Sequence, residues 1–314
     1  MKAQDQPRTP AGETCYEVLV FGGYCCDLII TGLPEVPRLG ADICGTGMGI
    51  QAGGAFNVVR ALHRLGIPVG WPADFGSDIF SQHVLDEIRA EGVDDRLLRF
   101  HDHLVRNFSL SFSFTHERGF ISYIEPVEKL DRAALVCELR PNIVLLDGLE
   151  YGPELLATAQ SAHACGARVA MECQHGPETL STGGLKEALQ AVDLFLPNRS
   201  EAMQLTGKDS PREAAEVLAA YCPRVVVKLG PEGALAVSPE GYAEAPALPV
   251  QVLDTTGAGD CFNAGFLYGS LRGYDLLKCL QFGNICGGIS TTAHGTIAAP
   301  DAAQAEEAFQ RYYA

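Results

Sequence analysis

The stretch Asp254-Thr255-Thr256-Gly257-Ala258-Gly259-Asp260-Cys261-Phe262-Asn263-Ala264-Gly265-Phe266 reads as a tight loop that turns into a helix. Gly257 and Gly259 can adopt backbone angles closed to other residues and let the main chain approach a ligand closely. The segment after them has no proline or β-branched residue, and Phe262 and Phe266 stand one helical turn apart. A glycine loop that opens a helix presents unpaired N–H groups and the positive end of the helix dipole, which suits an anion such as phosphate. Asp260 falls in the first turn, beside that expected anion. Its ordinary reading is a helix-start acid that complements the dipole. Its functional reading is a base that takes the proton from an attacking hydroxyl while the amides hold a transferring phosphoryl group.

Ahead of this loop, apolar runs alternate with helical patterns. Residues 17–22 (E-V-L-V-F-G) are a short apolar run ending in glycines, the mark of a buried strand, and Asp27 follows at its mouth. In 51–66, Val58, Ala61, Leu62 and Leu65 recur at helical spacing, Asn57 lies at the helix start and Gly66 stops it. Residues 69–76 suggest a strand and turn, and 79–91 an amphipathic helix. Strands are expected at 143–147, 168–172, 194–197 and 224–229, helices at 154–165, 184–191, 200–205 and 211–221, and a hairpin at 233–248. The alternation predicts an α/β fold with a parallel sheet covered on both faces and ligands at the carboxyl ends of its strands.

Residues 104–125 break that pattern. Phe108, Leu110, Phe112 and Phe114 point one way and Ser109, Ser111 and Ser113 the other, with a turn near Glu117-Arg118-Gly119. With residues 28–51, which mix short β-like pieces with Gly and Pro, this hairpin is expected to form a small β-sheet lid over a bound ligand, and to pair two subunits.

The 314 residues suffice for one large α/β domain, and 47% hydrophobic with 20% charged residues fits a packed protein. A formal net charge of −16 argues against nucleic acid or an anionic membrane as a partner. Phosphates must then be met by local amides, a metal ion or a few lysines. Eleven cysteines are scattered without a C-x-x-C pair, which suits reduced thiols in a cytoplasmic protein. Residues 1–14 are polar and lack an apolar signal core, so a flexible tail before a single domain at 15–314 is expected, with no membrane span.

Four further sites fall at strand ends or loops: Asp27, the Gly53-Gly54…Asn57 turn, Asn198-Arg199-Ser200-Glu201, and Lys228-Leu229-Gly230-Pro231-Glu232-Gly233. Singly, each has an ordinary reading. Asn198 can cap the next helix, Glu201 can be a first-turn acid, Asp27 can end a strand in solvent and Lys228 can reach solvent along a strand edge.

Together with the opening loop they resemble the PfkB family of carbohydrate kinases, the ribokinase-like sugar and nucleoside kinases, over about residues 16–312. V-L-D-T-T-G-A-G-D-C-F-N-A-G-F is similar to the family's carboxyl-terminal motif, and A-G-G-A-F-N-V-V-R-A-L-H-R-L-G to its amino-terminal motif, with Ala52 where a glycine is usual. N-x-x-E is intact at Asn198 and Glu201, and K-L-G-x-x-G at Lys228 to Gly233. The resemblance implies a ribokinase-like three-layer α/β/α sandwich with a mainly parallel central sheet and a small β-sheet lid. It implies a phosphotransferase with an alcohol group as acceptor, using ATP and Mg²⁺. Asp260 then matches the catalytic base, and Gly257, Ala258 and Gly259 the anion hole. Asn198 and Glu201 match the element that organises magnesium through water, while Lys228, Gly230 and Gly233 lie where ATP phosphates and sugar are contacted. Asn284, with Thr292-Ala293-His294-Gly295, falls where adenine and ribose pack. Asp27, Gly53, Gly54 and Asn57 match the acceptor turn, and family members often bind K⁺ near Asp254, Thr256 and Gly295.

The acceptor is less legible. A D-x-N-x-R element found in several family members is replaced by Met171-Glu172-Cys173-Gln174-His175-Gly176. Arg106, Asn107 and Arg118 can face a sugar or serve as solvated lid residues. Lysines are sparse near the amino-terminal motif, so an unphosphorylated sugar or sugar acid is expected. The alternatives are a nucleoside acceptor on the same scaffold and a non-catalytic sugar-binding regulatory protein. A dehydrogenase is disfavoured, because no G-x-G-x-x-G follows the first strand.

Overall fold

Runs such as V-L-V-F and I-V-L-L carry no alternating polar residue, so they are satisfied only where both sheet faces are covered. The computed structural model describes residues 16–113 and 118–314 and places both runs in the middle of a large sheet. In chain order the elements are β1 (Val18–Phe21), β2 (Tyr24–Thr31), β3 (Gly47–Gly54), α1 (Phe56–Arg64), β4 (Val69–Gly70), β5 (Asp74–Phe75), α2 (Ile79–Glu91), β6 (Arg99–Phe100), β7 (Asn107–Ser113), β8 (Arg118–Ile124), α3 (Arg132–Leu139), β9 (Ile143–Leu146), α4 (Pro153–Ala164), β10 (Arg168–Glu172), α5 (Leu185–Gln190), β11 (Leu194–Leu196), α6 (Arg199–Thr206), α7 (Pro211–Leu218), β12 (Val225–Lys228), β13 (Ala234–Ser238), β14 (Gly241–Ala245), α8 (Ala258–Leu271), α9 (Leu276–Ser290) and α10 (Ala302–Tyr312).

The main sheet has the order β14-β13-β12-β11-β10-β9-β1-β4. It is parallel from β4 through β12 and turns antiparallel at β13 and β14. Successive strand residues face opposite layers. Val18 and Val20 pack with Phe56 of α1, Phe266 of α8 and Phe282 of α9, while Leu19 and Phe21 pack with Leu155 of α4, Leu189 of α5 and Ala214 of α7. The expected three-layer sandwich is what forms.

A second sheet, ordered β3-β2-β7-β8, stands apart as the lid. Its pairings place Asp27 beside Ser109, and Ser109 opposite Ser122, on one face. Phe108 lies on the other face, stacked on Phe80 of α2 with ring centroids 4.9 Å apart. The expected alternation therefore holds over residues 108–112, with Ser109 and Ser111 on the Asp27 side and each only 5% exposed. Phe114 and Glu117 lie outside the described residues.

Helices α3, α9 and α10 were not legible in the sequence. For α9 the reason is its glycines, which weaken a helical pattern. They are there for contact: a Cβ on Gly283 would stand 2.7 Å from the Phe262 ring of α8. Gly265 answers from α8, where a Cβ would reach Cys286 Sγ at 2.8 Å. Gly265→Ala is therefore expected to destabilise the fold by about 1–3 kcal/mol. Urea unfolding measures it, and a neutral result would show that α8 and α9 can move apart without cost.

Candidate active site

The parallel register brings the carboxyl ends of neighbouring strands to one rim. Asp147 follows β9, Glu172 ends β10, Lys228 ends β12, and Asn198 bridges to Lys228 just beyond β11. Helix α8 starts at the same rim. One carboxylate oxygen each from Asp147, Glu172 and Asp260 lies within 4.8 Å of the others. Sequence reasoning left out Asp147 and Glu172, although an acid closing a wholly apolar parallel strand was the signal that could have found them.

Gly257 caps α8 with φ +73°, a left-handed conformation, and a Cβ there would also press on Thr296 and on Asn57. The turn leaves the first amides of α8, from Ala258 and Gly259 onward, at the positive helix end. Asp260 is held from α1, because Asn57 Nδ2 donates to its Oδ2 at 3.0 Å. The Asn57 amide is oriented in turn: Thr296 Oγ1 donates to Asn57 Oδ1 at 3.2 Å and accepts from Arg60 Nη1 at 3.0 Å. Arg60, 5% exposed, pairs through Nη2 with Glu87, whose other oxygen accepts the Ala52 amide of β3 at 3.1 Å. This chain of contacts joins the root of the lid to Asp260.

Asn198 and Glu201 form a capping box at the start of α6. Asn198 Oδ1 accepts the Glu201 amide at 3.0 Å, and Glu201 Oε2 accepts the Asn198 amide at 2.7 Å. The cap reading of Asn198 is thus correct structurally, and Glu201 Oε1 stands outside the box. A hard carboxylate oxygen at this rim suits Mg²⁺, which keeps most of its water and takes few protein ligands. Lys228 does not run to solvent: its Nζ donates to Asn263 Oδ1 at 3.3 Å. A Cβ on Gly259 would lie 3.6 Å from that Nζ, so the lysine stands against the α8 turn.

Asp254 ties the loop before α8 to the segment after α9. It accepts from the Thr256 amide at 3.0 Å, from Thr256 Oγ1 at 2.8 Å and from the Gly295 amide at 2.9 Å. From the lid, Asp27 reaches the rim over Gly53, where a Cβ would come within 3.1 Å of the Asp27 Cγ. Gly54, φ +64°, turns the chain into α1.

Other expected residues have structural partners of their own. Arg106 pairs with Glu125 at 2.8 Å and lies over the Tyr123 ring, on the lid face away from Asp27. Asn284 spends its amide on the Ala245 and Pro246 carbonyls, both at 3.0 Å, holding the end of β14. Gly233 is needed by packing, since a Cβ would collide with the backbone at 245–247, whereas Gly230 faces open space.

Gathering acids raises their proton affinity. Burial pushes Glu172 up to about 7, the Asp260 charge adds to it, and Lys228 and Asn263 oppose it. Burial and the Asp260 charge raise Asp27 to about 6, against the Cys25 hydrogen bond. Burial and the Glu172 charge hold Asp147 well above the usual carboxylate range. Asp260 is raised by burial against lowering by Lys228 and Asn57, and Glu201 by burial against the Asn198 amide and Lys228.

A carboxyl raised on folding binds its proton more tightly in the folded chain, so its stabilising share is lost as pH rises through the folded value. For Asp27 and Glu172 that window runs from their unfolded values, about 4, up to about 7. Without nucleotide or divalent ions, thermal stability should therefore fall between pH 5 and pH 8. Glu172→Gln should flatten the decline and be more stable than the parent at pH 8, by on the order of 1–3 kcal/mol. Calorimetry across pH checks this, and a variant that declines like its parent would assign the effect to other groups.

The family model described as pfkB family carbohydrate kinase matches residues 39–303. An uncharacterized sugar kinase of Archaeoglobus fulgidus is 39% identical, over 32% of this chain and 41% of that protein. A cytidine kinase of Thermococcus kodakarensis is 35% identical over 32% of this chain and 37% of that protein, so both matches span well under two thirds of the relatives. Fructokinase-2 of Oryza sativa subsp. japonica is 25% identical over 92% of this chain and 93% of its own length. Among solved structures, Arabidopsis thaliana ribokinase complexed with ribose and ATP superposes with a TM-score of 0.81 at 20% identity, covering 94% of this chain and 99% of that one. A putative ribokinase II from E. coli in complex with ATP and Mg²⁺ gives 0.76 at 22% identity, over 95% of this chain and 100% of that one. With the family model covering most of its length, and the lid, the α8 turn and the Asn198–Glu201 box all at one rim, the chain belongs to the pfkB family of carbohydrate kinases.

Proposed function

We propose that this protein transfers the γ-phosphoryl group of Mg-ATP to a hydroxyl of an unphosphorylated sugar, with Asp260 as general base. The observation that carries the reading is the carboxylate of Asp260, fixed by the Asn57 amide beside the Lys228 charge in the first turn of α8, at the positive helix end.

In this reading Asp27, the Gly53-Gly54 turn and Asn57 hold the acceptor's hydroxyls, and the lid excludes water from them. Asp260, its proton affinity raised by burial, accepts the proton of the reacting hydroxyl. The amides of Gly257, Ala258 and Gly259 take up charge on the moving phosphoryl group, and Lys228 faces it from β12. Magnesium, organised through water by Asn198 and Glu201, neutralises phosphate charge when bound with ATP. A potassium ion on backbone carbonyls near Asp254, Thr256 and Gly295 belongs to the same reading. The acceptor is an unphosphorylated sugar or sugar acid in this reading, and the acids gathered at the rim favour the uncharged sugar. A nucleoside acceptor is the second reading, favoured by the similarity to the cytidine kinase.

Asp260→Asn is expected to keep its fold and acceptor affinity while kcat falls by about 10²–10⁴-fold. ADP release with Mg-ATP and calorimetric acceptor binding measure the two parts. A variant that turns over near the parental rate would remove Asp260 from the base role.

The lid also supports pairing of two subunits. Met48, Ile50, Ile121 and Tyr123 are exposed on its face away from Asp27. Sedimentation should show a dimer that Ile121→Glu shifts to monomer, and a parent that stays monomeric at high concentration would contradict the pairing.

A further inference from the structure

Helices α3 and α4 lie in the same outer layer, where Val136 of α3 is buried with Leu155, Ala159 and Ala162 of α4. Beside Val136, Cys137 is exposed, and Cys165, the residue that caps the end of α4, is half-buried. Their sulfur atoms stand 4.0 Å apart, with the Cys165 thiol donating to Cys137 Sγ. No other atom fits between sulfurs at that separation. The two positions are 28 residues apart in sequence, so helix packing and not a C-x-x-C spacing brings them together. Most other described cysteines are sealed off from a reagent in solvent: Cys26, Cys173, Cys222, Cys261, Cys279 and Cys286 are all buried. Cys137 combines access from solvent with a second thiol in contact.

We propose that Cys137 and Cys165 are a redox-active pair, closed to a disulfide by a small-molecule disulfide such as oxidised glutathione, and that the closed bond staples α3 to α4. The pair does not depend on the acceptor or on the kinase chemistry. The exposed Cys137 reacts first: its thiolate attacks one sulfur of the oxidant, the oxidant's S–S bond breaks, and one thiol leaves. Burial and the adjacent Cys137 raise the proton affinity of Cys165, against Arg140, so Cys165 is the poorer attacker on a free oxidant. Contact with Cys137 offsets that disadvantage once the mixed disulfide has formed. Cys165 then gives its proton to solvent and attacks the Cys137 sulfur, and a second thiol leaves as the Cys137–Cys165 bond forms. Two protein thiols are oxidised and the small disulfide is reduced to two thiols. Rotation about χ1 of the exposed Cys137 brings the sulfurs to bonding distance, about 2 Å. The bond closes a loop that contains β9, Asp147 and Glu150, which restricts the unfolded chain.

The test treats the folded full chain with oxidised glutathione and blocks the remaining thiols with iodoacetamide. Digestion without reduction uses a glutamate-specific protease, which cuts between the two cysteines at Glu150 and Glu154. Mass spectrometry should find the Cys137 and Cys165 peptides joined, lighter together by two hydrogens, and separated again by dithiothreitol. Cys165→Ser should stop at a glutathione adduct on Cys137, and Cys137→Ser should leave Cys165 largely unmodified. The oxidised parent should melt about 3–10 °C above the reduced one, a rise that Cys137→Ser abolishes. The parent's peptide map decides the matter even where a variant fails to fold. A parent that stops at glutathione on Cys137, that joins Cys137 to another cysteine, or that keeps both thiols free in excess oxidant would overturn the pair. A mapped bond with no rise in melting temperature would overturn the staple.

Discussion

The hydrogen bond from Asn57 Nδ2 to Asp260 Oδ2, 3.0 Å long, joins two helices that come from opposite ends of the chain. It can form only if α1 and α8 start at the same rim, which the central sheet ensures by burying Phe56 and Phe266 in one layer. Behind it stand Thr296, Arg60 and Glu87, each bonded to the next. Because Glu87 also holds the Ala52 amide, the lid strand and the acid share one support.

The same rim is costly to build. Buried acids that repel one another oppose folding at neutral pH, and the apolar layers on both faces of the sheet must offset them. Active sites commonly carry such a cost, since a group with ordinary surroundings has ordinary reactivity. The neighbours act in opposite senses: Lys228 and Asn57 favour the charged form of Asp260, while burial opposes it. Asp260 is thus held between opposing influences, with burial prevailing and its proton affinity raised.

Much of this was legible in the sequence. The strand and helix alternation marked the parallel sheet, and D-T-T-G-A-G-D marked the α8 turn. Asn57, Asn198, Glu201 and Lys228 were each ambiguous alone, and only their common rim gives them a joint meaning. Asp147 and Glu172 were passed over although each closes an apolar parallel strand, because that signal marks single residues and not their meeting. Their relation is one of register between β9 and β10, which sequence spacing does not express. Arg106 and Asn284 have contacts that spacing does not express either. Their partners, Glu125 and the carbonyls of Ala245 and Pro246, are set by tertiary contacts.

The most direct measurement is a crystal structure with Mg²⁺, a non-transferable ATP analogue and an acceptor identified by ADP release. The expected result places the reacting hydroxyl within hydrogen-bond distance of Asp260, with the γ-phosphorus in line beyond it and against the Gly257–Gly259 amides. An acceptor hydroxyl held away from Asp260, or a γ-phosphate bound elsewhere than the α8 turn, would contradict the proposed chemistry.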